Sequence, residues 1–458
     1  MTGIELLDCL DDHKSGEVFL SLYGGSELHT NRQRYRRLLE GLLNDFPRQD
    51  FPEVAGDLRV FSVPGRTELG GNHTDHNRGK VLAASIQLDA VAIVAPRQDK
   101  RVFFRSVDHR DVILDISDLS LREEEKGETE ALIRGIAAEL SAQGTPVNGF
   151  TANASNMVLS GSGLSSSAAV EVLFAKIFDN LFAGGKRSAL ELAKIGQKAE
   201  NVYFAKPCGL MDQTACASGG AVAIDFEDLQ NPLVNGISFD PASAGYALCI
   251  VNTKGSHSDL TPDYAAIPNE MKSIAAFFGK IVLREVDERT FMTRLPDIRK
   301  AATLREATTL REALGDRAVL RALHFFNENR RVDAMHKALE NLNAYSSADT
   351  IEPFLALVRE SGDSSSELLQ NIYSTKNPSV QGLTLALALT KNFLQPQGTN
   401  NGKGACRVHG GGFAGTIQAY IPLERLENYR NLVEGIYGAG SLTVLRVRSL
   451  GAMELNFC

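Results

Sequence analysis

Residues 158–178, VLSGSGLSSSAAVEVLFAKIF, run from a loop of glycines and clustered serines straight into a stretch of helical periodicity. Glycines leave backbone N–H groups uncovered, and a helix N-terminus favours negative charge, so this junction is built to cradle a phosphate. Serine hydroxyls in the same turn are hard oxygen ligands of the kind Mg²⁺ accepts beside substrate phosphates. The Gly-Lys-Ser/Thr ending of a Walker A loop is missing. Taken alone, the segment also fits a plain N-capped helix after a flexible loop. Upstream, residues 58–64 (LRVFSVP) and 80–96 (KVLAASIQLDAVAIVAP) are Val- and Ile-rich runs bounded by Gly, Pro and Asn, as buried strands are. Helices are expected over 130–142, 166–182 and 188–204, with Gly144 and Gly184 as stop signals. Helices and strands in this mixture give an α+β fold.

The chain has 458 residues, 43% of them hydrophobic, enough for two cored domains. The first 55 or so form an amphipathic helical lead-in, with Tyr35, Leu38, Leu39, Leu42 and Leu43 at helical spacing. After a strand-like run at 246–253 the chain turns mainly helical to about Phe393, then returns to strands in TIQAYIP and LTVLRVRSL. A boundary near 245 divides it into 1–245 and 246–458, and residues 395–405 read as a loop. A net charge of -8 argues against a nucleic-acid partner. The basic run at 32–37 (RQRYRR) reads as a solvated helix face. The six cysteines lack metal-type pairing, and reduced thiols are expected. No basic-then-apolar leader opens the chain and no run approaches a membrane span.

Three further clusters carry chemistry. Residues 62–82 place Arg66, Glu68, Asn72, His73, Asp75, His76 and Asn77 among glycines. Carboxylates, amides and imidazoles fix the hydroxyls of a sugar, and a guanidinium stabilises a transferring phosphoryl group. A metal site from His73, Asp75 and His76 is the alternative. Residues 199–220 hold Glu200 near a helix end and Asp212 after a Pro-Cys-Gly turn. One carboxylate can bind Mg²⁺ while the other orients or deprotonates an attacking hydroxyl, although a lone loop Asp is often just a turn residue. Residues 406–422 contain G-x-G-x-x-G at Gly410, Gly412 and Gly415. Because these glycines run into a strand rather than a helix, they suit close backbone packing or anion contact, not a dinucleotide.

In order, PGRTELGGNHTDHNRGK, SGSGLSSSAA, CGLMDQ and HGGGFAG resemble the motifs of the galactokinases, within the GHMP kinase superfamily. The resemblance implies a two-domain fold of mixed sheets and helices with its active site between the domains. It implies ATP-dependent phosphorylation of galactose at the C1 hydroxyl; a monomer is expected, and the reduced thiols point to the cytoplasm. Asp212 would be the catalytic aspartate, with Arg66 stabilising the transferring phosphate or the attacking oxygen. Asn72, His73, Asp75 and Gly209 would line the sugar, joined by Tyr264 in SHSDLTPDY. Gly161, Ser162, Gly163, Leu164, Ser165, Ser166 and Ser167 would surround the ATP phosphates, and Ser167 and Glu200 would hold Mg²⁺. The resemblance leaves open which sheet receives the final strand. One departure stands out: the family usually has Gly-Glu-His-Thr-Asp-Tyr where this chain has GNHTDH at 71–76. In the family that glutamate lies near the sugar's C6 side, so Asn72 removes a charge that would repel a C6 carboxylate. This keeps a related sugar, such as galacturonate or N-acetylgalactosamine, as the alternative substrate. A catalytically silent sugar sensor is a third reading, opposed by intact Arg66, Asp212, Ser167 and Glu200.

Overall fold

The computed structural model describes residues 1–46, 49–107, 109–255, 260–303, 314–344, 351–395 and 403–457. Most of the loop expected at 395–405, and the Ser-His-Ser stretch before Tyr264, lie outside them. The lead-in folds as α1 (Gly3–Asp11), α2 (His13–Tyr23) and α3 (Leu28–Asp45). A capping box formed by Thr2 and Glu5 satisfies the first turn of α1. The first sheet then takes β1 (Arg59–Gly70), β2 (Lys80–Pro96), β3 (Arg101–Ser106) and β4 (Val112–Asp115). After α4 (Thr129–Ala142) come β5 (Phe150–Asn156), α5 (Ser166–Phe182), α6 (Ala189–Lys198), α7 (Met211–Ser218), β6 (Ala221–Asp225) and β7 (Leu233–Ile237).

The long apolar runs of β1 and β2 are explained by burial on both faces. Phe61, Val63, Ala92 and Val94 point into a core shared with α5, whereas Val60, Val91, Ile93 and Ala95 point into a second core under α1, α2 and α3. The lead-in is therefore the lid of one sheet face. It is pinned by a polar knot at Asp89, which is wholly buried. Arg34 reaches it at 2.6 Å, Arg448 at 3.0 Å, Tyr23 at 2.7 Å and Ser62 at 2.5 Å. The basic run at 32–37 is thus not a uniformly solvated face. Arg34 and Tyr35 turn inward on the same helix that leaves Arg36 outside, because the roughly 100° per residue of a helix spreads six consecutive residues over both its buried and its solvent faces.

The second sheet is antiparallel, in the order β11-β8-β10-β9, from β8 (Tyr246–Asn252), β9 (Ala405–His409), β10 (Thr416–Pro422) and β11 (Leu442–Leu445). Between β8 and β9 run α8 (Thr261–Phe277), α9 (Glu288–Thr303), α10 (Asp316–Ala344), α11 (Glu352–Ser364) and α12 (Gly382–Leu394). α12 and α13 (Leu426–Tyr437) cover one face of this sheet, while Val332, Met335 and Phe354 from α10 and α11 enter the core of the first. The final strand, β12 (Met453–Leu455), returns to the first sheet, where Leu455 pairs with Val60. The first sheet then reads β12-β1-β2-β5-β3-β4, with β6 on the leading end of β2 and β7 beside it. The helix expected over 188–204 is α-helical to Lys198 and continues as a wider, five-residue turn at Ala199–Tyr203. Cys208, Cys216, Cys249 and Cys406 are free, but Cys9 is disulfide-bonded, a departure from the expectation of reduced thiols that spacing along the chain does not reveal. Among the described residues no helix is long and apolar enough to cross a membrane.

Candidate active site

A polar cleft of about 250 Å³ gathers residues from three of the four sequence clusters: Arg66, Asn72, His73 and Asp75 from β1 and the turn after it, Gly209 and Asp212 at the start of α7, and Gly410 from the loop after β9. Arg66, almost fully buried, donates Nε and Nη2 to Asp212 Oδ1 at 2.9 and 2.7 Å, and Nη1 to the Gly163 carbonyl. Ser165 donates its hydroxyl to Asp212 Oδ2 at 2.5 Å. Burial alone would raise the Asp212 pKa, but the Arg66 charge and the Ser165 hydrogen bond outweigh it and hold the carboxyl below its usual value. Asp212 is therefore an ionised carboxylate whose two oxygens are held in fixed directions.

The opposite wall is the turn after β1. His73 sits at φ 60, in the left-handed region, and donates Nε2–H to the Gly411 carbonyl at 2.9 Å. Burial pushes its pKa down to about 4, so the imidazole is neutral at pH 7 and its protonation state is set. Asp75 packs against Gly209 so closely that a Cβ there would clash with its carboxylate. Gly209→Ala is expected to displace Asp75 and raise the KM of whatever substrate the cleft takes by about tenfold or more, since overpacking a fitted site costs about 1–3 kcal/mol. Steady-state kinetics on a variant with unchanged thermal stability checks this.

Asn72 is braced rather than open. Its amide donates to Glu68 Oε1 at 3.0 Å and to the Gly410 carbonyl at 2.8 Å, and its Oδ1 accepts from Asn371 at 2.8 Å. Glu68, buried and lining the cleft, also pairs with the fully buried Arg407. The carboxylate missing at 72 thus stands four residues earlier, hydrogen-bonded to the amide that replaced it. Tyr264 stands one layer back. Its hydroxyl donates to the Gly412 carbonyl at 3.0 Å and its ring packs on Gly411 and on Phe413.

In the glycine–serine loop before α5, Gly161 and Gly163 take φ of 69 and 72, and Ser165 stands at the N-cap position at φ 60 without a side-chain cap bond. The serines divide their work. Ser162 is buried and donates to the Leu159 carbonyl at 2.5 Å, leaving its backbone to the loop. Ser165 faces Asp212, Ser166 accepts from Asn156 Nδ2 at 2.8 Å, and Ser167 is exposed on the first turn of α5. Leu164 is a core side chain whose carbonyl accepts the Arg66 N–H at 3.1 Å. The second glycine motif holds this loop from behind. The His409 imidazole lies 2.9 Å from Thr67 Oγ1 and 3.1 Å from Thr416 Oγ1, and Thr416 Oγ1 donates to the Ser162 carbonyl at 2.8 Å. A Cβ on Gly163 would press on the His409 ring, so the motif serves close backbone packing.

Glu200 lies in the wide turn after α6, a kind of helix irregularity that gathers at functional sites. Lys206 donates to its Oε1 at 2.8 Å and Gln213 Nε2 to its Oε2 at 3.0 Å. The same Gln213 nitrogen reaches Glu171 Oε2 at 2.8 Å, while Glu171 Oε1 and Gln213 Oε1 are buried with no partner. Burial and then the Glu200 charge push the Glu171 pKa up to about 8. Among the described residues no three His, Cys, Asp or Glu side chains converge to hold a metal by themselves. A buried carboxylate already gripping an ammonium, with unpartnered oxygens beside it, is nevertheless a donor set that fits a hard divalent cation completed by phosphate oxygens. Sequence reasoning passed over Lys206, Glu171 and Gln213. Glu171 had a legible signal, since it lies one turn after Ser167 on the same helix face.

Residues 49–96 match the galactokinase galactose-binding signature, and residues 131–220 the N-terminal domain of GHMP kinases. A galactokinase of Streptomyces coelicolor is 31% identical over 395 residues, covering 85% of this chain and 91% of its own length. One from Glaesserella parasuis is 30% identical over 394 residues, covering 84% and 90%. Among solved structures, Lactococcus lactis galactokinase complexed with galactose aligns with a TM-score of 0.68 at 23% identity, over 89% of this chain and 98% of that one, a likeness of fold.

Proposed function

The chain belongs to the galactokinase family, and from that premise we propose that it transfers the γ-phosphoryl group of ATP to the anomeric C1 hydroxyl of galactose. The observation that carries this is the Arg66–Asp212–Ser165 constellation, set at the cleft beside His73, Asp75 and Gly209. Asp212 orients the C1 hydroxyl. It accepts the proton as the oxygen–phosphorus bond forms and the bond to the leaving ADP oxygen breaks; a carboxylate whose pKa is lowered by Arg66 and Ser165 is a weak base, which suits late transfer. Arg66 offsets the charge that develops on the attacking oxygen and the moving phosphoryl group. His73, Asp75 and Gly209 position the sugar, with Asn72 and Tyr264 bracing the walls, and the loop from Gly161 to Ser167 meets the phosphates. Ser167 and Glu200 would hold Mg²⁺, which when bound supplies charge neutralisation between the phosphates. In this reading the first domain is residues 1–245 with the final strand β12 returned to its sheet, the rest of 246–458 forms the second, and the cleft lies between them. The enzyme acts as a monomer in the cytoplasm, where its nucleotide substrate is supplied.

Glu68 decides between sugars. Because a carboxylate persists beside Asn72 and already takes the charge of Arg407, no uncompensated cation among the described residues is left there to pair with an acidic C6 group, and the neutral hydroxymethyl group of galactose is preferred. ADP release with galactose, galacturonate, N-acetylgalactosamine, arabinose and glucose, each against a no-sugar control, tests this. Galactose is expected to lead, and galacturonate in the lead would overturn the assignment. Asn72→Glu would set two carboxylates against each other and cost the Gly410 and Glu68 hydrogen bonds. Turnover should fall for every sugar, with a lowered denaturation midpoint, rather than shift preference among them.

A further inference from the structure

The cleft carries one basic side chain that this mechanism leaves without a part. Lys206 follows Ala205, a non-glycine residue held at φ 64, and its backbone N–H donates to the Glu200 carbonyl at 3.1 Å. This backbone sets Lys206 on the cleft wall with Arg66 and Asp212, Nζ 2.8 Å from Glu200 Oε1. The two partners are unequal: the Glu200 side chain is 3% exposed and that of Lys206 59%. The carboxylate is fixed in place by Gln213, and the ammonium is the member free to move. Its charge already reaches past Glu200, since it helps to hold Asp212 ionised.

We propose that Lys206 is a phosphate-binding residue of the transfer site, which occupies the cation position at Glu200 until nucleotide arrives and then pairs with phosphate oxygens in the cleft. The inference rests on the kinase reading above. Two cations do not share one carboxylate oxygen without repulsion, so Glu200 ligating a divalent ion displaces the ammonium. The flexible four-carbon stem of a half-exposed lysine carries the charge toward the nearest new anion at little packing cost. Lys206 thus keeps the buried Glu171–Glu200 pair neutralised when the cleft is empty, and adds positive charge beside Arg66 when phosphate is present.

The test uses the full chain and Lys206→Met, with folding checked by thermal unfolding. Mn²⁺ binding is read by electron paramagnetic resonance, with and without a non-hydrolysable ATP analogue, so no turnover is required. Losing the competing ammonium should tighten Mn²⁺ binding without nucleotide by about tenfold, and losing the phosphate contact should weaken the analogue at saturating Mn²⁺ by about tenfold, the scale of one charge-assisted hydrogen bond. Lys206→Arg, which keeps the charge, should hold analogue affinity within about threefold of the parent. Unchanged or weaker Mn²⁺ binding in Lys206→Met, unchanged analogue affinity, or an equal loss in Lys206→Arg would each overturn the proposal. Absence of sugar turnover in the parent chain would sink the galactose assignment but leave these binding measurements decisive.

Discussion

Asp212→Asn is expected to lower kcat by about a thousandfold or more while leaving the fold intact, within the range that removal of a positioned acid–base group produces. The amide keeps the size of the carboxylate, and its carbonyl can still accept from Arg66 Nε and Nη2, which meet Oδ1 at 2.9 and 2.7 Å. It supplies neither the negative charge that Arg66 faces nor a site for the sugar proton. The Ser165 hydroxyl would lose its acceptor oxygen and rotate away. Sugar KM should move little, because Asp75, His73 and Gly209, the proposed sugar contacts, are untouched, and that split between kcat and KM separates chemistry from binding. Single-turnover kinetics beside a thermal melt gives both readouts. A folded Asp212→Asn variant with near-parental turnover would remove Asp212 from the mechanism.

The second large effect is on stability. Asp89→Asn should cost about 3–5 kcal/mol, as expected when one partner leaves a buried ion network and the others remain. Arg34 and Arg448 both address Asp89, and their side chains are 10% and 0% exposed. Loss of the charge strands two buried guanidiniums and loosens the helical lead-in from the sheet. The pH dependence has a defined sign. Burial would raise the Asp89 pKa, but Arg34 and Arg448 lower it below the ordinary value. The contribution is therefore fully present above about pH 4, the unfolded aspartate pKa, and is lost as pH falls through the depressed folded one. Denaturant titrations at pH 7 and near pH 3 should show the gap between parent and variant narrowing at the lower pH. A gap of equal size at both would mean that the charge of Asp89 is not what holds the lead-in.

What was legible in the sequence was whatever depends on near neighbours along the chain. The continuous apolar runs of β1 and β2, the loop-to-helix junction at α5 and the polar turn at 71–78 all declare themselves within a short stretch of chain, and the structure brings Arg66 and Asp212 into contact. What was hidden depends on distant pairing or on a local irregularity. Arg34 looked like one more surface arginine because its partner, Asp89, lies in another element. Lys206 meets Glu200 because the helix widens at Ala199–Tyr203 and Ala205 turns left-handed, neither of which a regular helical reading contains. Glu68 and Asn72 were both seen, but that each braces the other follows only from the pleat of β1 and the turn that reverses the chain after it.

The pairing of β12 with β1 sets an order of events at the ribosome. Residues 59–70 emerge early, yet one flank of that strand has no partner until residues 453–455 follow. At about 5–20 residues per second the delay is on the order of twenty to eighty seconds. For that interval the nascent chain shows an unpaired strand flank, the feature through which sheets join other sheets. Anything that slows translation of the second half prolongs the exposure, so yield in an overproducing cell should depend on codon choice downstream of β8 more than on the stability of the finished enzyme.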